Sequence, residues 1–194
     1  MTKIPWKPGT LIYPLPAVMV SCGISEKEYN IITIAWTGTI CTNPPMCYIS
    51  VRKERHSYNI IKKNMEFVIN LTTKELAHAT DWCGVRSGRD YNKFKEMKLT
   101  PETGQIVKTP LIKESPLNIE CKVKDIIALG SHDMFLAEVV AVNADEKFYE
   151  KENSKFHFNH TEPICYSHGK YYTIGNKIGK FGYSVLKKKR KKKQ

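Results

Sequence analysis

The strongest constraint on the fold is a pair of long β-prone runs, Leu117 to Leu129 and Met134 to Asn143, separated only by Gly130-Ser131-His132-Asp133. Both runs are rich in aliphatic residues and the glycine-led stretch between them is a turn, so they read as an antiparallel hairpin. Further strands come earlier. Pro16 to Gly23 carries the buried-strand pattern Ala-Val-Met-Val-Ser-Cys, Tyr48 to Val51 is a short β-prone run, and Glu66 to Thr72 is largely apolar through Phe67, Val68, Ile69 and Leu71. Asn30 to Ile40 alternates: Ile32, Ile34 and Trp36 take one side, while Thr33, Ala35 and Thr37 leave a small, hydroxylated face on which a flat ring could lie. The strands outnumber the helices and follow one another without the crossover helices of a doubly wound sheet. The pattern predicts a mainly β protein, an antiparallel β-barrel with a few short helices.

Those helices are expected over 73–82, after Ser57, and after Asp90, the natural cap for the third with Lys93 in its first turn. Residues 1–15, with Pro5, Trp6, Pro8, Tyr13 and Pro14, should be extended and irregular, laid over the body. Residues 144–163 read as a polar loop with some helix, followed by short strands at Ile164 to Tyr166 and Lys170 to Tyr172 around Ser167-His168-Gly169. Gly175, Gly179 and Gly182 do not form a dinucleotide fingerprint, because no strand-turn-helix with that spacing surrounds them.

Chemistry concentrates in Met46 to Tyr58, where an apolar strand runs into hydroxyls and cations at a helix threshold. A phosphate there would meet the free N–H groups of the helix start, the hydroxyls of Ser50 and Ser57, and the guanidinium forks of Arg52 and Arg55. Ser57 reads equally as a simple N-cap, and Arg52, Lys53 and Arg55 as a solvated face.

The formal charge of +12 is concentrated at one end: the seven cations from Lys187 to Lys193 leave a net +5 on residues 1–186. A body so mildly basic suits an anionic cofactor as well as a polyanion. The tail 187–194 reads as disordered, able to add nonspecific affinity for nucleic acid or acidic membrane, and the body 1–186 as one domain. A nucleic-acid-binding barrel is the competing class, but no strand carries the aromatic and basic alternation of base-stacking surfaces. The six cysteines show no metal-ligand spacing and read as buried or half-buried thiols. No metal site is expected. With no apolar run near the ~20 residues of a membrane span and no signal-peptide pattern, a cytoplasmic location is expected.

Five segments in order, Asn30-Ile-Ile-Thr33-Ile-Ala-Trp36, Ser50-Val-Arg52-Lys-Glu-Arg55-His-Ser57-Tyr58, Asn70-Leu71, Gly130-Ser-His132-Asp133 through Val139, and His168-Gly169-Lys170-Tyr171-Tyr172, resemble the flavin reductase-like family, most closely its flavoredoxins. The resemblance covers roughly residues 8–186. It implies a split β-barrel of the FMN-binding type, a homodimer with FMN near the subunit interface, and oxidoreductase activity using NAD(P)H or a protein electron partner. By the same resemblance Ser50, Val51, Arg52 and Ser57 fall in the phosphate-binding strand and turn, with Arg55 and Tyr58 beside them. Thr33 and Trp36 fall along the flavin ring, Lys93, His132 and Tyr166 close to it, and His132 is the one candidate for a catalytic part, on the nicotinamide or flavin side. A flavin-binding protein without turnover is a further reading.

Overall fold

A computed structural model gives the structure of residues 1–185; the basic tail at 187–194 lies outside the described residues. The early strands are β1 (Leu15–Pro16), β2 (Val18–Cys22), β3 (Asn30–Ile34), β4 (Thr37–Cys41) and β5 (Met46–Arg52), followed by α1 (His56–Asn64) and β6 (Glu66–Leu71). Then come α2 (Ala77–Val85), α3 (Lys93–Glu96), the short β7 (Pro101–Glu102) and β8 (Leu111–Ile112), and the long hairpin β9 (Leu117–Ala128) and β10 (His132–Ala144). The chain closes with the short β11 (Tyr149–Glu150) and β12 (Lys155–Phe156), then the hairpin β13 (Ile164–Ser167) and β14 (Lys170–Thr173). Among the described residues no helix is long and apolar enough to cross a membrane.

Seven strands form one antiparallel sheet in the order β3-β2-β6-β9-β10-β5-β4. Its two edges, β3 and β4, are neighbours in the chain, and the sheet curls until they approach each other. No ladder joins them. Instead Thr37 N–H bonds back to the Ala35 carbonyl at 3.1 Å, and the Trp36 carbonyl accepts from Ser50 N–H on β5 at 2.9 Å. The result is a split antiparallel β-barrel, the architecture the sequence predicts. One expectation needs correction: Asn30 to Ile40 is not a single strand but breaks at Ala35–Trp36. Ile32 and Ile34 enter the barrel core, whereas Trp36 is 39% exposed and leaves the face they share.

The barrel interior is filled by Val18, Val20, Ile32, Ile34, Ile49, Val51, Phe67, Ile69, Val123 and Phe135, alternate residues of six strands as the pleat requires. On the opposite face of β2 and β3, Met19 and Ile31 pack under α2 and α3 against Leu76, Ala79, Cys83 and Phe94. Burial on both faces is why β2 reads as a nearly continuous apolar run rather than as an alternation. All six cysteines are free thiols, four buried and two half-buried, as expected.

Two helix starts differ from the sequence reading. Ser57 does not cap α1; Arg55 occupies that place, and Ser57 is buried two residues further in, its Oγ accepting from Asn30 Nδ2 at 2.7 Å. A tertiary partner outcompetes the local backbone for that hydroxyl. At α3 the cap is Asn92, whose Oδ1 accepts from Lys95 N–H at 3.1 Å, and Asp90 belongs to the preceding turn.

The long connection between α3 and β9 lies against the sheet through two carboxylates. Glu120, fully buried on β9, accepts from the N–H groups of Gln105, Ile106 and Val107 at 2.7 to 2.8 Å and from Asn143 Nδ2 at 2.7 Å. Glu66 accepts from Lys108 and Thr109 N–H. Burial alone would raise the Glu120 carboxyl, but these bonds outweigh it and hold it below the usual carboxylate range. Its contribution to stability is therefore complete above the ordinary carboxylate pKa of about 4.3 and is lost as pH falls through the lower folded value. Replacing Glu120 with Gln should lower the unfolding free energy by about 3 kcal/mol at pH 7, with a smaller penalty at pH 3. Urea melts at the two pH values measure both.

Candidate functional site

The break at Ala35–Trp36 opens the barrel wall. Beside it lies a cleft of 420 Å³ whose walls include Ile32, Thr33, Ala35, Trp36, Ser50, Arg52, Asp81, His132, Tyr166 and Tyr171. A second cleft of 230 Å³ adjoins it, lined by Asn30, Glu54, His56, Ser57, Cys83, Arg86, Ser87, Gly88, Arg89 and Lys93. Ile32, Arg55 and Gly84 line both, so the two form one elongated depression.

The first cleft is flat-walled and aromatic. Trp36 stacks on His132 with ring planes 11° apart and centroids 6.1 Å apart. The pairing of β5 with β10 sets this contact: His132 lies opposite Arg52 as the first residue of β10, not within the hairpin turn as the sequence suggests. Its Nδ1 meets Ser131 Oγ at 2.9 Å. The far wall is the β13–β14 hairpin, from which Tyr166 and Tyr171 face the cleft and Tyr171 Oη donates to Asp81 of α2 at 3.2 Å. Thr33 Oγ1 is committed to the Thr80 carbonyl, which ties β3 to α2. Gly84 keeps α2 close to β3, since a Cβ there would stand 3.2 Å from that of Thr33 and force a small shift.

The second cleft is cationic. Arg55 begins α1, a nine-residue helix with no acidic residue in its first turn, and His56 and Ser57 at the helix start face the cleft. From the other side come Arg86 and Arg89, the latter donating to the Glu54 carbonyl at 3.3 Å. Gly88 lets this loop close on β3, because a Cβ there would fall 2.1 Å from Asn30 Oδ1. Lys93 is 3% exposed, with Nζ donating to the carbonyls of Ile31 at 2.7 Å and Cys83 at 2.6 Å. Burial pushes its pKa down to about 8. Helix N-terminus, guanidinium groups and a buried ammonium together make a place for an anion.

The structure divides the set chosen from sequence. Thr33, Trp36, Ser50, Arg52, His132 and Tyr166 line the first cleft, Ser57 and Lys93 the second, and Arg55 both. Ser50 and Arg52 therefore do not share a chamber with Ser57, and Arg52 instead bonds Glu54 at 3.4 Å on the surface. Val51 borders the first cleft, yet its side chain belongs to the barrel core. Tyr58 lines neither: its ring is in the core, and its hydroxyl donates to buried Asp133 at 2.6 Å. Sequence reasoning missed Arg86, Arg89 and His56 in the second cleft and Asp81 and Tyr171 in the first. The signal for the arginines was present in Arg86-Ser87-Gly88-Arg89, a glycine-containing turn with cations on both sides.

Both histidines report the field of this site. Burial first, then Arg89 and Lys93, depress the pKa of His56; burial first, then Arg52, depress that of His132. Proton NMR titration should find both below the ordinary value of about 6.5. Inorganic phosphate should raise His56 and not His132, whereas Arg52→Gln should raise His132.

Similar proteins were found by sequence and by structure. A protein of Pyrococcus abyssi of unassigned function is 33% identical over 150 residues, 76% of this chain and 86% of that one. Flavoredoxin of Desulfovibrio vulgaris (Miyazaki F) superposes with a TM-score of 0.87 at 28% identity, over 95% of this chain and 100% of that one. Flavoredoxin from Methanosarcina acetivorans does so with 0.85 at 26% identity, over 96% and 100%. Residues 10–175 match the family model described as flavin reductase like domain, and the chain belongs to that family.

Proposed function

We propose that this protein binds FMN across the two joined clefts and works as a flavin-dependent oxidoreductase. The observation that carries the reading is the division of one depression into an aromatic chamber fit for a planar heterocycle and a cationic chamber fit for a phosphate, with Ile32, Arg55 and Gly84 common to both. The donor chemistry fits the cofactor. A phosphate monoester is close to a dianion at pH 7, and the second cleft offers Arg55, Arg86, Arg89 and Lys93 together with the start of α1.

When bound, the flavin supplies the redox chemistry of its ring. The chain's own residues bind, orient and tune. Arg55, Arg86 and Arg89 would hold the phosphate, and the Lys93 ammonium, already holding two carbonyls, would supply a desolvated positive charge in the same cleft. Trp36 and Tyr166 wall the ring and exclude water, and Ser50 offers a hydroxyl at the same chamber. Burial first, then Arg52, depress the pKa of His132 and so favour its neutral form. With Nδ1 engaged by Ser131, its Nε2 would be the nitrogen left to meet a bound ring or an incoming nicotinamide. Electrons arrive as hydride from NAD(P)H or from a protein partner, and the working unit is a homodimer.

The stripped protein should take up FMN at least about a hundredfold more tightly than riboflavin, since desolvated charge-assisted bonds to one phosphate are worth about 3 kcal/mol or more. Fluorescence titration measures both ligands, and equal affinities would remove the phosphate assignment. Because Lys93 loses its proton near pH 8 in the free protein and the phosphate favours the protonated form, FMN affinity should fall about tenfold between pH 8 and pH 9.5. His132→Ala should slow reduction by NADH or NADPH in stopped flow more than it weakens FMN binding.

A further inference from the structure

Residues 163–194 carry ten lysines and arginines and no aspartate or glutamate. Ile174 N–H, just past β14, donates to the Pro163 carbonyl at 3.2 Å, and beyond it no described backbone hydrogen bond ties the segment 175–185 to the body. The segment is nevertheless shaped. Tyr183 N–H donates to the Lys180 carbonyl at 3.0 Å, Tyr183–Val185 forms a single 3-10 turn, and the Tyr183 ring lies so close to Gly179 that a Cβ there would stand 2.6 Å from it. The turn holds Phe181 at its tip, fully open, with Ile178 93% and Val185 81% exposed on either side. Lys177 and Lys180 stand directly before two of these apolar residues, and the seven cations Lys187 to Lys193 follow.

We propose that this segment docks the protein on an anionic lipid bilayer, with Ile178, Phe181 and Val185 set into the boundary between headgroups and acyl chains and the cations drawn to lipid phosphates. Attachment is peripheral, because a loop tip of this size reaches only that boundary. Charge and apolar surface act together. A cation close to an anionic surface favours binding about fivefold, and an apolar side chain taken fully out of water favours it about tenfold or more. Charge alone is screened by salt, and a few apolar side chains alone give only marginal attachment, so the two signals are needed side by side. Nucleic acid would satisfy the lysines equally, but it has no apolar layer to receive Ile178 and Val185. The aliphatic side chains decide between the two polyanions. Phe181 follows Tyr171 of the cleft wall by ten residues, so the aromatic cleft stays within about 35 Å of the lipid surface.

The test is cosedimentation of the full chain with vesicles of phosphatidylcholine alone, and of phosphatidylcholine with about one-third phosphatidylglycerol, at about 0.1 M salt. The parent should pellet with the anionic vesicles and stay in solution with the neutral ones. Two variants divide the contributions: Ile178→Ser with Phe181→Ser, and Lys188→Gln with Lys189→Gln and Arg190→Gln. Each should weaken binding at least about tenfold with an unchanged circular dichroism spectrum. A parent that ignores anionic vesicles overturns the proposal. So does an apolar variant that binds them as tightly as the parent, which leaves charge alone as the cause. Preference of the parent for polyuridylate over the vesicles at equal phosphate concentration also overturns it, and makes the segment a nucleic-acid arm. Ile178 and Phe181 line neither cleft, so flavin uptake, read by absorbance on the same samples, should match the parent. Failure of the flavin reading and failure of lipid attachment are therefore distinguishable.

Discussion

The structure depends on the break at Ala35–Trp36, where the edge strands β3 and β4 follow one another without pairing while the Trp36 carbonyl carries the β4–β5 ladder on to Ser50 N–H. Had β3 continued into a regular ladder with β4 or β5, Trp36 would lie in the core with Ile32 and Ile34 and the barrel would be closed. Instead the chain turns at Ala35–Trp36, no ladder joins β3 to β4, and the side chains flanking the break remain available. Thr33, Trp36, Ser50 and His132 all line the opening this creates. α2 and α3 pack on the outer face of β3 beside the break, and the β13–β14 hairpin walls the cleft it opens.

A second constraint is electrostatic. A buried lysine is costly unless its ammonium is hydrogen-bonded, and Lys93 satisfies two of its three donors with the carbonyls of Ile31 and Cys83. That arrangement pins α3 to β3 and to the end of α2, and so builds the back of the cationic cleft from three elements at once. The depressed pKa of Lys93 and of the nearby His56 share one origin, burial in a field already positive from the arginines. A field of this kind destabilises the protein when nothing neutralises it, which is the physical signature of a site built to receive an anion.

Much of the fold is readable from residues because it follows from periodicity. The β9–β10 hairpin, the buried run at Val18–Cys22 and the sequence of strands without crossovers all have local signatures, and the antiparallel barrel follows from them. Local caps were less legible. Ser57 has the chemistry of an N-cap, yet Asn30, distant in sequence, takes its hydroxyl, and Asn92 rather than Asp90 caps α3. At α1 the competitor comes from a distant strand; at α3 it is Asn92, two residues on, whose side chain has the same capping chemistry as Asp90.

The sequence by itself determined the fold class, the flavin reductase-like membership, the concentration of hydroxyls and cations between 50 and 57, and the seat of the excess charge in the tail. Only the tertiary structure decided which of those groups share a chamber. It placed Ser50 with the aromatic cleft and Ser57 with the cationic one, sent Tyr58 inward to Asp133, and brought Arg86, Arg89 and Lys93 to the helix start. The reason is geometric. Strand alternation and helix periodicity fix which way neighbouring side chains point, but which distant residues they meet is set by how the sheet curls and where its seam falls.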